Sequence, residues 1–310
     1  MVGDGMKTGL FVIVCVSMIV AVAFASAAFP SNSDTDPLDT SVKPDLYLNP
    51  AEEQVRISLD DVKSVIASEM PLAKMETLRG GLIDDSVYGK IWQFTFRTEA
   101  DEHILMGIDA ETSEIRFFFG RTGVSVPGQE QISLEEATQI ASDYIKDRDG
   151  DLDITPEMAR YMSPHAEGLS GKYQVHYSRV IGGVDCLSDG IMVAVHPVNG
   201  CIMSYHKRWT MPEDQVLAIQ PANLTESEAS AIFTDVMTKY GASGIKILSS
   251  EKQWVYRNDS ADVQGSRDIC LAWHIKFTDD YIRSHDMKCP AAVWVDAETG
   301  EIFKHIYNIG

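Results

Sequence analysis

The chain has 310 residues, 45% of them apolar and 23% charged, an ordinary globular composition with room for two or three domains. Its formal net charge is −20. A surface of that sign repels phosphate backbones and anionic headgroups, which argues against nucleic-acid binding and peripheral membrane binding. The acidity itself is read as a solvated exterior rather than a cation-binding surface.

Gly9 to Phe29 carry no charge and are mostly apolar, Lys7 precedes them, and Ala25-Ser26-Ala27 supplies a small-residue cleavage signal. Residues 1–28 are therefore expected to be a signal peptide. An uncleaved N-terminal membrane anchor is the competing reading, because about 20 apolar residues span a bilayer. Both readings place the remainder outside the cytoplasm, secreted or at the cell surface. Residues 29–50, rich in Pro, Ser, Asp and Thr without hydrophobic periodicity, read as a disordered linker.

Three segments then open alike: Ile57-Ser58-Leu59-Asp60-Asp61-Val62, Ile132-Ser133-Leu134-Glu135-Glu136-Ala137 and Leu224-Thr225-Glu226-Ser227-Glu228-Ala229. Each is a capping box, with a hydroxyl that accepts from an orphan helix N–H and an acid three residues on that reaches back. Apolar residues at helical spacing follow each box, as in Ala137, Ile140, Ala141, Tyr144 and Ile145. Gly241 is the expected stop of the third helix. An alternating strand led by an aromatic comes next in each segment, at Trp92, Tyr173 and Trp273.

The first segment closes on Ile108-Asp109-Ala110-Glu111-Thr112-Ser113-Glu114-Ile115. The third closes on Val295-Asp296-Ala297-Glu298-Thr299-Gly300-Glu301-Ile302, and the second, degenerate, on Val195-His196-Pro197-Val198-Asn199-Gly200-Cys201-Ile202. The string reads as strand, tight turn, strand. Asp109 and Asp296 are structural turn residues able to accept from backbone N–H groups two residues on, and Gly300 provides the positive φ. The fold class expected is α+β: three tandem modules, each a helix packed on a short antiparallel β-sheet of three to four strands, at 51–128, 129–215 (degenerate) and 216–310.

The cap, the aromatic-led strand and the turn Asp296-Ala297-Glu298-Thr299-Gly300-Glu301-Ile302 together resemble the PepSY domain family. The first segment matches with Ser113 in place of the glycine, and the second departs at His196 to Gly200. The resemblance implies an exported, generally non-catalytic module, with a role in binding or restraining peptidases proposed for the family. It implies no active site.

Beyond the signal segment there are four cysteines, Cys186, Cys201, Cys270 and Cys289, an even number in a compartment that permits disulfides. Bridges between sequence neighbours are disfavoured, because the expected meander puts them at opposite strand ends, and Cys186–Cys289 is one open pairing. Asn223 and Asn258 head sequons and are glycosylation candidates. Asp147, Asp149, Asp151 and Asp153 alternate as in a calcium loop, yet the glycine falls fourth and Met158 stands where the twelfth-position Glu belongs; a solvated loop is preferred. Ser249-Ser250-Glu251-Lys252 matches S-x-x-K without its partner motifs. The eight histidines are scattered, with no H-E-x-x-H.

No catalytic residue, cofactor or resident metal is therefore assigned. The leading expectation is an exported, non-enzymatic binding or regulatory protein of the envelope that acts on a protein or peptide partner, a peptidase, as the PepSY resemblance implies, or another envelope protein. The alternatives are a secreted hydrolase with a site between modules and a structural surface protein.

Overall fold

The computed structural model describes residues 55–120, 131–163, 171–219, 223–257, 268–285 and 291–306. The N-terminal segment, the linker and Cys289 lie outside them, as does Asn258. Five helices and twelve strands follow in the order α1 (Leu59–Glu69), β1 (Ala73–Asp85), β2 (Gly89–Thr98), β3 (His103–Asp109), β4 (Ile115–Phe119), α2 (Leu134–Asp149), β5 (Ile154–Met162), β6 (Lys172–Ile181), β7 (Val184–Val195), β8 (Ile202–Arg208), α3 (Glu213–Ala218), α4 (Glu226–Lys239), β9 (Lys246–Tyr256), β10 (Ile269–Thr278), α5 (Asp280–Ser284), β11 (Ala291–Asp296) and β12 (Ile302–Ile306). Among the described residues no helix is long and apolar enough to cross a membrane.

The expectation of three separate helix-on-sheet modules does not hold. All twelve strands hydrogen-bond into one mixed sheet, ordered β1-β2-β3-β4-β8-β7-β9-β10-β11-β12, with β6 on β7 and β5 on β6. The decisive pairing is β4 with β8, antiparallel through Phe117↔His206, Phe118↔Tyr205 and Phe119↔Ser204. It satisfies backbone edges that isolated small sheets would leave open. It also merges the first two expected cores. Val62 and Ile66 of α1, Ala137, Ala141 and Ile145 of α2, and Trp92, Phe118, Tyr173 and Tyr205 of the sheet belong to one buried cluster. A second, smaller cluster gathers Ala229 and Phe233 of α4 with Trp273, Ile275, Phe277 and Val293. A parallel pairing of Asp185 and Cys186 with Gln253 and Trp254 makes the sheet mixed.

Among the described residues the chain divides into two compact units. One takes residues within 38–220 and 253–270, and the other residues within 221–252 and 271–310.

Local chemistry explains the starts of α1, α2 and α4. Both arms of the capping box are made at Ser58 with Asp61, Ser133 with Glu136 and Thr225 with Glu228. Gly241, at φ 91°, follows the last residue of α4 and its cap, the left-handed step that ends a helix cheaply. The residue before each cap is held twice. Its N–H donates into the turn, Ile57 to the Ala110 carbonyl, Ile132 to Pro197 and Leu224 to Ala297, at 2.7–3.0 Å. Its carbonyl accepts from the strand aromatic, Trp92 Nε1 at 3.0 Å, Tyr173 Oη at 2.6 Å and Trp273 Nε1 at 3.1 Å.

Candidate functional site

A groove of about 700 Å³ lies in the larger unit. Its walls are the last turns of α1 (Ser64, Ser68, Glu69) and α2 (Tyr144, Asp147, Arg148, Asp149), and the β3–β4 turn closes it with Ser113, Glu114 and Ile115. The two helices stand side by side because both cover the sheet that the β4–β8 pairing fused. The groove is thus a consequence of long-range strand pairing.

Its lining residues Glu69, Arg148, Asp149 and Glu114 join a chain of charges that continues into the sheet. Arg148 Nη1 donates to Glu69 Oε1 at 2.6 Å and contacts the Tyr144 hydroxyl at 3.0 Å, while that hydroxyl donates to Glu69 Oε1 at 3.0 Å. The Arg148 guanidinium lies 4.6 Å from the centre of the Tyr205 ring, a cation–π arrangement that holds it against that ring. The Tyr205 hydroxyl donates to Asp149 Oδ2 at 2.8 Å, and Lys207 Nζ reaches Asp149 Oδ1 at 3.1 Å and also bonds Glu114. Glu114 accepts from Arg116 at 2.8 Å, and Arg116 grips Asp109 at 2.7 Å. Four carboxylates (Glu69, Asp109, Glu114 and Asp149) therefore meet three bases (Arg116, Arg148 and Lys207), and Asp147 adds an exposed charge at the rim. The groove is acidic and hydroxyl-lined, with most of its charges mutually paired.

Burial pushes the Tyr144 and Tyr205 phenols well above their ordinary range, so both remain protonated donors near neutrality. Burial alone would raise the Asp109 carboxyl, but hydrogen bonds from Arg116 and from the Glu111 and Thr112 N–H groups outweigh it and hold the acid below its usual range.

The turn residues read from sequence sit where they can do their work. Asp109 Oδ1 accepts from Glu111 N and Thr112 N, each at 2.9 Å, and Asp296 Oδ1 from Glu298 N and Thr299 N at 2.9 and 2.7 Å. Gly300 has φ 76°. The degenerate second turn holds a surprise. His196 Nδ1 accepts from Val198 N and Asn199 N at 3.2 and 3.4 Å, so an imidazole stands in for the carboxylate. Burial holds this histidine below its ordinary pKa, in keeping with a neutral acceptor.

The alternating aspartates do not converge. Asp149 is taken by Lys207 and Tyr205, Asp151 pairs with Lys146 at 3.5 Å, Asp153 lends its carbonyl to Val180, and Asp147 stays at the groove rim. Asn223 is exposed just before the α4 cap. Ser249 and Lys252 both lie on β9, where a three-residue separation sends side chains to opposite faces; Lys252 lies over the Trp273 ring. Cys186 and Cys201 carry free thiols, and the Cys186–Cys289 pairing falls on Cys289, outside the described residues. Cys186 is buried beside Trp254, and burial pushes its thiol up to about 12; Cys201 is exposed in the β7–β8 turn, and Cys270 is buried in β10. Glu69, Arg148, Tyr205 and Lys207 were not singled out in the sequence. The one local hint was Arg148 inside an aspartate run, and the pairings that give it meaning span 56 to 93 positions.

No family profile matches the chain, and no curated protein matches it. Among solved structures, the YpeB C-terminal domain of Bacillus megaterium is similar, at 14% identity over 81% of this chain and 99% of that one, with a TM-score of 0.49. An uncharacterized protein from Eubacterium rectale is similar at 11% identity, covering 81% of each chain, with a TM-score of 0.46. Likeness at this level carries no function over to this chain.

Proposed function

We propose that the protein is an exported, non-enzymatic binding or regulatory protein of the cell envelope, and that it takes a polar, base-bearing peptide segment of its partner in the groove between α1 and α2. The observation that carries this reading is the groove itself: an acidic, hydroxyl-lined trough with Asp147 exposed at its rim above carboxylates already engaged in ion pairs. Such a paired set is rigid, and a cationic side chain arriving at the rim meets carboxylate without having to break a buried pair. The N-terminal apolar segment supports export, and the PepSY-like turn and cap support a role in modulating a secreted peptidase.

A second reading, a hydrolase, is favoured by the convergence of carboxylates in one cleft. It is weaker because Glu69, Glu114 and Asp149 are each engaged by a base in an ion pair of the fold itself.

Panning the purified chain against displayed random peptides tests the proposal. Enriched peptides are expected to carry Lys or Arg, and Asp147→Lys, a rim change, is expected to weaken their binding at least tenfold. No enrichment, or binding indifferent to Asp147→Lys, overturns it. Peptide cleavage abolished by the same substitution would move the assignment to the hydrolase.

A further inference from the structure

The face of the sheet turned away from α1 and α2 carries a row that neither the groove nor the PepSY-like motif uses. On β6, Tyr173, Val175 and Tyr177 enter the helix-covered core, so alternation turns Gln174 and His176 the other way. The same holds for Met192 between Ile191 and Val193, and for His206 next to Tyr205. The ladder then lines them up. Met158 of β5 is the cross-strand partner of His176, His176 of Met192, and Met192 of His206. Residues directly opposite across antiparallel strands have Cβ atoms about 5 Å apart. Two thioethers and two imidazoles therefore alternate in one uninterrupted row.

We propose that this row is a binding site for a soft monovalent metal ion, copper(I) or its mimic silver(I), with His176, Met192 and His206 as ligands and Met158 as the entry ligand. The donor set is the first argument, because thioether sulfur and imidazole nitrogen are the ligands that such ions prefer. The second is His176 Nε2, which is buried and has no hydrogen-bond partner. Buried ring nitrogens are nearly always satisfied, and an ion would complete this one. The third is Tyr88, whose hydroxyl bonds Nε2 of His206. With Nε2–H donating to that oxygen, Nδ1 keeps its lone pair, and an outer partner of this kind orients a metal-bound histidine.

The surrounding charge selects the ion. Arg160, two residues along β5 from Met158, and Arg208, two residues along β8 from His206, share this face by alternation, and each disfavours added positive charge. A divalent ion would feel twice that repulsion and finds no carboxylate in the row to offset it. Among the described residues, no three His, Cys, Asp or Glu groups gather to hold one. Met158 is 37% exposed, which gives an ion a way in from solvent; the half-buried Met192 sulfur accepts from Gln174 Nε2, a neutral donor that ligation would displace.

The test is an anaerobic titration of the full chain with Ag(I), and with Cu(I) held by a chromogenic chelator. One ion per chain is expected, withdrawn from the chelator, with perturbed NMR signals from the His176 and His206 rings. Met192→Leu and His176→Gln are each expected to weaken binding at least tenfold, with far-UV circular dichroism unchanged, whereas Cys201→Ser, which removes the exposed thiol, leaves it intact. A variant that loses its fold does not bear on the affinity, and the ring signals of the unaltered chain then decide. No binding, loss of binding in Cys201→Ser, or binding that leaves both ring signals unmoved overturns the proposal.

Discussion

Ser113 occupies the position that Gly200 and Gly300 fill in the other two turns, and all three have positive φ, 63°, 69° and 76°. An L-residue with a side chain is strained there, by about 1 kcal/mol, where glycine is not. Ser113→Gly is therefore expected to stabilise the protein by roughly 0.5–1 kcal/mol, since the added freedom of the unfolded chain returns part of the gain. The reverse change is harsher. A Cβ at Gly300 would meet Ile232 Cδ1 at 2.9 Å, so Gly300→Ser is expected to cost about 1–2 kcal/mol. Urea midpoints of the two variants check both signs. At this scale much was legible, because caps and Asx turns are local bargains between a side chain and backbone three residues away. His196 was not. Its sequence reads as a lost turn, and only the geometry shows Nδ1 accepting the two N–H groups that a carboxylate takes elsewhere.

At the level of elements, the repeated signal turns out to be a latch. The residue before each capping box gives its N–H to the turn and its carbonyl to the strand aromatic, so helix start, turn and strand are fixed to one point. The three pieces stand far apart in sequence, 49 positions between Leu224 and Trp273, and their recurrence could be seen without their contact. Trp273→Phe keeps most of the ring but strands the Leu224 carbonyl, and is expected to cost about 1–2 kcal/mol. Thr225→Ala, which removes the hydroxyl arm of the box, is expected to cost about 1 kcal/mol. Because both act on the entry to α4, the double variant is expected to deviate from additivity by about 0.5 kcal/mol or more. A double-mutant cycle by chemical denaturation measures it, and strict additivity would mean that cap and latch act independently.

For the whole molecule, the outcome turned on strand pairings that no local pattern encodes. Alternation marks a strand and its buried face, but nothing in Phe117-Phe118-Phe119 names Ser204-Tyr205-His206 as its partner. That one pairing fused two expected sheets, merged their cores and placed Arg148 beside Glu69, which is why the groove was invisible in sequence while its turns were not. The smaller unit shows how such burial sets a response to pH. His274 lies under the Trp294 ring, centroids 4.5 Å apart, and burial, then Lys276, depress its pKa to about 4, against an opposing pull from Glu251. The depressed value fixes the sign. The unfolded chain takes up this proton near pH 6.5, before the folded one does, so the contribution is complete above about 6.5 and is lost as pH falls from there towards 4. The loss is expected to be on the order of 1–3 kcal/mol, and His274→Gln, which cannot take up the proton, is expected to flatten stability across that window. The Asp109 carboxyl, depressed in turn, acts only lower, below about pH 4. Urea midpoints at pH 7 and pH 4.5 for the natural chain and His274→Gln separate the two: parallel declines would mean that the acid sensitivity between those values belongs to other groups.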